Sequence, residues 1–98
     1  MYRILLVEDD NRICTMIRNF FNLKGGEFKI DFAFDGKQGI KSAYENTYDL
    51  LLLDVMMPEL DGFSACREIR KFRSTPIIML SARGEEYDKI HGFELGSD

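Results

Sequence analysis

The feature that most constrains this chain is the alternation of short, continuous apolar runs with segments of helical period. The runs 2–7 (YRILLV), 48–54 (YDLLLLD) and 75–82 (TPIIMLSA) are rich in branched residues, with Arg3, Asp49 and Asp54 their only charges. Strands covered on both faces read this way. The segment 27–34 (EFKIDFAF) alternates instead, with Phe28, Ile30, Phe32 and Phe34 set against Lys29, Asp31 and Ala33. That pattern suits a half-covered strand at a sheet margin. Between the runs, 11–26 places Ile13, Met16, Ile17, Phe20 and Phe21 on one helical side, with Asn11 as the expected N-cap and Gly25-Gly26 as the stop. Segment 35–46 reads as a second helix capped by Asp35, weakened by two glycines. Pro58 forces a loop, after which 62–72, capped by Asp61, turns Phe63, Cys66 and Ile69 inward. A fourth helix is expected over 84–96, with Tyr87, Ile90 and Phe93 at helical spacing. Strand and helix alternating in this way imply βαβ units, and hence an α/β fold with a parallel sheet and helices on both faces.

The 98 residues suit one domain, and a hydrophobic share of 45% is enough for one core. A net charge of −4 disfavours direct binding to phosphate backbones. Cys14 and Cys66 lie far apart in helical patterns, so neither a disulfide framework nor a zinc site is suggested, and they read as buried thiols in a reducing compartment. The apolar run before EDD is too short for a signal peptide or a membrane span, so the protein reads as soluble and cytoplasmic. His91, the only histidine, reads as a surface or partly packed residue rather than a phosphodonor.

In open parallel sheets, ligands gather beyond the carboxyl ends of the strands where strand order reverses. The acids of this chain fall at those ends. Glu8, Asp9 and Asp10 follow the first strand, Asp54 closes the third and Ser81 closes the fourth. If the first and third strands are neighbours, Asp9 and Asp54 face one another across a small pocket. Carboxylates brought together repel unless one protonates or a cation neutralises them. An all-oxygen set beside an open crevice suits Mg²⁺. An accessible, magnesium-bound carboxylate opposite a hydroxyl suits phosphoryl acceptance, where catalysis is chiefly positioning and charge neutralisation.

The strings ILLVEDD (4–10), LLLLDVMMPELDG (50–62) and PIIMLSARGEE (76–86), in that order, resemble the receiver domain of bacterial two-component response regulators. The resemblance implies a flavodoxin-like doubly wound sheet. It implies that Asp54 is the phospho-acceptor, taking its group from a sensor histidine kinase. Asp9 matches the direct Mg²⁺ ligand, Glu8 the acid that reaches the metal through water, and Met56 the residue that supplies a backbone carbonyl. Ser81 matches the switch hydroxyl and Ala82 the small residue that leaves room for the phosphoryl group. Asp10 receives no metal role. ARGEE resembles the subclass whose receivers control a winged-helix DNA-binding domain.

Such a module is a signalling switch rather than an enzyme, apart from catalysing its own phosphorylation and dephosphorylation. Residues 1–98 are accordingly read as a receiver carrying four βα units, C-terminally truncated before the fifth strand, its lysine and the fifth helix, and without an output domain. Self-association through an exposed fourth-strand edge and the fourth helix is expected, as is contact with DNA only through a missing output domain and none with membrane.

Three other readings compete. A haloacid-dehalogenase type phosphatase wants a second Asp two residues after the nucleophile, where this chain has Met56. A nucleotide or flavin module wants glycines and hydroxyls in the first loop, where EDD would repel phosphate. A phosphorylation-independent interaction module would keep the acid pocket as a vestige.

Overall fold

A computed structural model describes residues 1–57 and 59–80. Strands β1 (Tyr2–Val7), β2 (Phe28–Ala33), β3 (Leu50–Asp54) and β4 (Ile77–Leu80) alternate with helices α1 (Asn11–Asn22), α2 (Gly36–Glu45) and α3 (Gly62–Arg70). The sheet has the order β2-β1-β3-β4, and every pairing is parallel. The fourth expected helix, with Lys89 and His91, lies outside the described residues, as do Ser81 and Ala82.

Strand order reverses at β1, because β2 lies on one side of it and β3 on the other. The alternating segment is the margin strand, as its pattern requires. Phe28, Ile30 and Phe32 pack toward α1 against a cluster of Ile4, Leu6, Cys14 and Leu52. Ala33 turns to the opposite face, where Leu5, Val7, Leu51 and Leu53 meet Ala43 of α2 and Ala65, Cys66 and Ile69 of α3. The two periods therefore divide one sheet between two cores: odd positions of β1 and β3 face α2 and α3, and even positions face α1.

Several local expectations shift. Asp10, not Asn11, caps α1: its carboxylate accepts from the Arg12 backbone N–H at 2.8 Å, and with its own backbone extended the helix starts one residue earlier than expected. Met16 and Phe20 lie 63% and 53% exposed, whereas Cys14, Ile17 and Phe21 turn inward. Helix α1 packs against β2, and its buried stripe is rotated from the one the apolar residues alone suggest. Phe34 is exposed because β2 ends at Ala33, and the exposed Tyr44 meets Phe72 edge-on at 5.2 Å. Asp35 and Asp61 do cap α2 and α3, accepting from Gln38 and Ser64 backbone N–H groups at 2.8 Å each. Gly25 and Gly26, at φ 81° and 80°, form the turn after α1, a conformation that L side chains resist.

The end of the sheet away from the acids is tied by polar contacts. Asp49 accepts from the Arg3 backbone N–H at 2.8 Å, and its own N–H donates to the Arg3 carbonyl at 2.8 Å. Asp31 accepts from the Tyr48 hydroxyl at 2.7 Å and from the Arg3 guanidinium at 3.1 Å. Burial, with the Asp31 carboxylate beside it, pushes the Tyr48 phenol up to about 12. Arg73 donates to the carbonyls of Ala43, Tyr44 and Asn46, closing the C-terminal end of α2.

The glycines that weaken α2 on propensity serve its packing. A Cβ on Gly39 would stand 2.7 Å from Val7 Cγ2, a stiff, fully buried side chain. Gly39→Ala is therefore expected to destabilise the fold by about 1–3 kcal/mol, the cost of overpacking, despite the higher helix propensity of alanine. Urea denaturation will measure this, and a gain in stability would refute the packing argument.

Candidate functional site

The acids converge because β1 and β3 are parallel neighbours in a fixed register. Leu6 pairs with Leu52 and Val7 with Leu53. One residue further along each chain stand Glu8 and Asp54, side by side at the carboxyl ends. Single carboxylate oxygens of Glu8, Asp9 and Asp54 all lie within 4.8 Å of one another. Glu8 and Asp54 are fully buried, while Asp9 is exposed at the entrance.

The burial of Asp54 departs from the accessible carboxylate expected, and its place explains why. It pairs with Leu80 of β4 on one side, and the following residue, Val55, donates its N–H to the Leu80 carbonyl at 2.9 Å. Glu8 stands on the other side.

Backbone donors fix the carboxylates but do not satisfy them. The Met56 N–H donates to Asp54 Oδ1 at 3.2 Å, and the Asp10 N–H donates to Glu8 Oε2 at 3.1 Å. Among the described residues, no donor reaches the other oxygens, Asp54 Oδ2 and Glu8 Oε1, although both are buried. Burial pushes the Glu8 carboxyl up to about 8, and the neighbouring Asp54 adds to the rise. Asp54 is also raised by burial, opposed by the Met56 N–H and by the neighbouring Glu8 carboxyl. Without a cation the two carboxyls therefore relieve their repulsion by holding a proton between them.

The donor set fits a hard divalent cation. It consists only of oxygens, two of them buried without a hydrogen-bond donor, around a space one ion can span. Asp10 is turned away: Arg12 grips its carboxylate with Nε at 3.2 Å and a terminal guanidinium nitrogen at 2.9 Å, holding it below the usual carboxylate range. Asp10, to which the sequence assigns no metal role, is thus held by Arg12 instead. An Asp two residues before an Arg at a helix start was the available signal. Cys14 was read only as a buried thiol, yet its Sγ donates to the Glu8 carbonyl at 3.6 Å. Met56 sits in the loop after β3 with its side chain half exposed.

No helix among the described residues is long and apolar enough to cross a membrane. Residues 4–98 match the family of response regulator receiver domains. The chain is 46% identical over 96 residues to the transcriptional regulatory protein ResD of Bacillus subtilis, covering 98% of this chain and 39% of that protein. It is 41% identical over 98 residues to the response regulator ArlR of Staphylococcus saprophyticus, covering all of this chain and 44% of that one. It therefore spans less than half the length of these relatives. Among solved structures, the response regulator TrrA of Thermotoga maritima, in complex with Mg²⁺ and BeF, superposes with a TM-score of 0.82 at 30% identity, covering 100% of this chain and 83% of that one. With its parallel sheet and its acids gathered at the strand ends, the chain belongs to the receiver domains of two-component response regulators.

Proposed function

We propose that this chain is a phosphorylation-dependent switch in which Asp54 accepts a phosphoryl group from a phosphohistidine of a sensor kinase. The observation that carries the reading is the buried Asp54 carboxylate, with Oδ2 lacking a donor among the described residues, facing Glu8 and Asp9 across the strand ends. In the transfer, an Asp54 oxygen forms a bond to phosphorus as the phosphorus–nitrogen bond breaks, and the electron pair stays with the donor imidazole. The Met56 N–H holds the Asp54 carboxylate against rotation, so one face stays turned to the pocket. Asp9 and Glu8 would hold Mg²⁺ with Asp54, Asp9 directly and Glu8 through water, and the Met56 carbonyl would complete the protein's share. When bound, that ion supplies positive charge against the phosphoryl oxygens. Ser81 is assigned the switch hydroxyl and Ala82 the small neighbour, both following Leu80, which lies beside Asp54.

Residues 1–98 are read as one receiver domain whose phosphorylation state governs an output, regulation of transcription in the cytoplasm. Pairing of two copies through the β4 edge and the segment expected from its sequence to form a fourth helix is part of this reading, and sedimentation with and without phosphorylation tests it. A second reading, an interaction module that never takes up phosphate, finds its support in the exposed Met16 and Phe20 of α1. Intact-mass spectrometry after incubation with Mg²⁺ and a small acyl-phosphate donor separates the two. A single phosphoryl group is expected on the chain and none on Asp54→Asn. No gain on a chain that binds Mg²⁺ would favour the interaction module.

The buried acids also set a pH dependence. Glu8 titrates near its ordinary value of 4.5 when unfolded and at about 8 when folded without metal. Across that window the folded state holds a proton the unfolded state has lost, so stability falls as pH rises. The urea midpoint of the metal-free protein should drop between pH 5 and 8. Saturating Mg²⁺ should cancel the drop, and Glu8→Gln should flatten it. A slope unchanged in Glu8→Gln would show that other groups carry it.

A further inference from the structure

Gly62, the first residue of α3, occupies a place no side chain can share. Its φ is not in the left-handed region, so it is not there for its backbone freedom, unlike Gly25 and Gly26. The reason is space. A Cβ at this position would fall well inside contact distance of the Asp54 carbonyl oxygen, and 2.9 Å from both the Asp54 carbonyl carbon and Met79 Cε. The Gly62 N–H meanwhile donates to the Val55 carbonyl at 3.1 Å, tying the start of α3 to the peptide after Asp54.

Neither side of this contact can yield freely. Asp54 is paired with Leu80, and the Val55 N–H is committed to the Leu80 carbonyl. Helix α3 is held down by Ala65, Cys66 and Ile69, all buried in the core. An added methyl group would therefore push on the main chain of the acceptor. At Gly39 the obstacle is only the Val7 side chain.

We propose that Gly62 is a positioning residue for the phospho-acceptor: the missing side chain lets the first turn of α3 seat against the Asp54 carbonyl, fixing how the Asp54 carboxylate meets Glu8 and Asp9. The proposal rests on the functional reading above and adds a residue to it. Metal affinity is the sensitive quantity, because three carboxylates serve one ion only while their oxygens stay within a few tenths of an ångström of their places. Asp61 contributes by capping the same turn through its bond from Ser64.

The test compares the unmodified chain, Gly62→Ala and Gly39→Ala by calorimetric titration with Mg²⁺, at a temperature where circular dichroism shows each folded. Gly62→Ala is expected to bind Mg²⁺ at least about tenfold more weakly, the scale seen when groups supporting metal ligands are disturbed. Gly39→Ala, though destabilised, is expected to bind within about twofold of the unmodified chain, since its clash stays off the acceptor main chain. Equal weakening in both would reduce Gly62 to a packing role, and unmodified affinity in Gly62→Ala would overturn the proposal outright. Should Gly62→Ala not fold, Asp61→Ala and Asp61→Asn decide the matter: loss of affinity in the first with recovery in the second, which keeps the cap, supports it, and equal affinity in both overturns it. If the unmodified chain takes up neither Mg²⁺ nor phosphoryl group, the functional reading itself fails and this proposal with it.

Discussion

Everything at the strand ends follows from placing like charges together in a dry space. Two fully buried carboxylates, Glu8 and Asp54, stand side by side because β1 and β3 are parallel and in register. In an ordinary core this would be a defect, since a buried carboxylate without a partner loses its hydration and gains nothing. The chain tolerates it because the surrounding elements are strongly determined. Apolar β1 and β3 cannot slip by one residue without turning Leu5, Val7, Leu51 and Leu53 out of one core and into the other. The unfavourable contact is thus held by favourable ones distributed through the sheet. It stores a free energy that a divalent cation or a proton can release, and a site that must respond to a ligand needs such a reserve.

The rest of the fold divides into parts that hold this site and parts that do not touch it. Helix α2 packs closely on the Val7 side chain through Gly39 and on Leu60 through Gly36. Arg73 fastens the far end of that helix to the segment after α3. Helix α1 begins directly after the acids, and its cap residue, Asp10, is occupied by Arg12. The pocket therefore keeps its acids apart by purpose: one caps a helix, while three are left facing each other.

Much of this was legible in the residues. Continuous apolar runs identified the inner strands, and alternation identified β2 as the margin, because burial on one or two faces writes a different period. Convergence of Glu8, Asp9 and Asp54 followed once β1 and β3 were neighbours. What escaped were quantities that depend on how elements lean on one another. The turning of Met16 and Phe20 to solvent depends on which neighbours α1 packs against, and periodicity alone does not encode that. The shift of the cap from Asn11 to Asp10 rests on one residue of backbone geometry, where two good capping residues compete. The glycines read as weak points of α2 because propensity counts a missing side chain only as lost preference, whereas packing counts it as room.

The turn at Gly25 and Gly26 lies at the opposite end of the sheet from the acids, and a Cβ on either glycine would meet nothing within 4 Å. Its neighbours at that end, Asp49 and Tyr48, bind the strands to one another through Arg3 and Asp31 rather than to anything at the pocket. The molecule thus has a chemical pole and a mechanical pole. Changes in loop length at the mechanical pole cost little closure entropy and reach the acids only through the strands themselves. Sequence drift, peptide insertion or attachment of a reporter can accumulate there while the spacing of the carboxylates at the other pole stays the same.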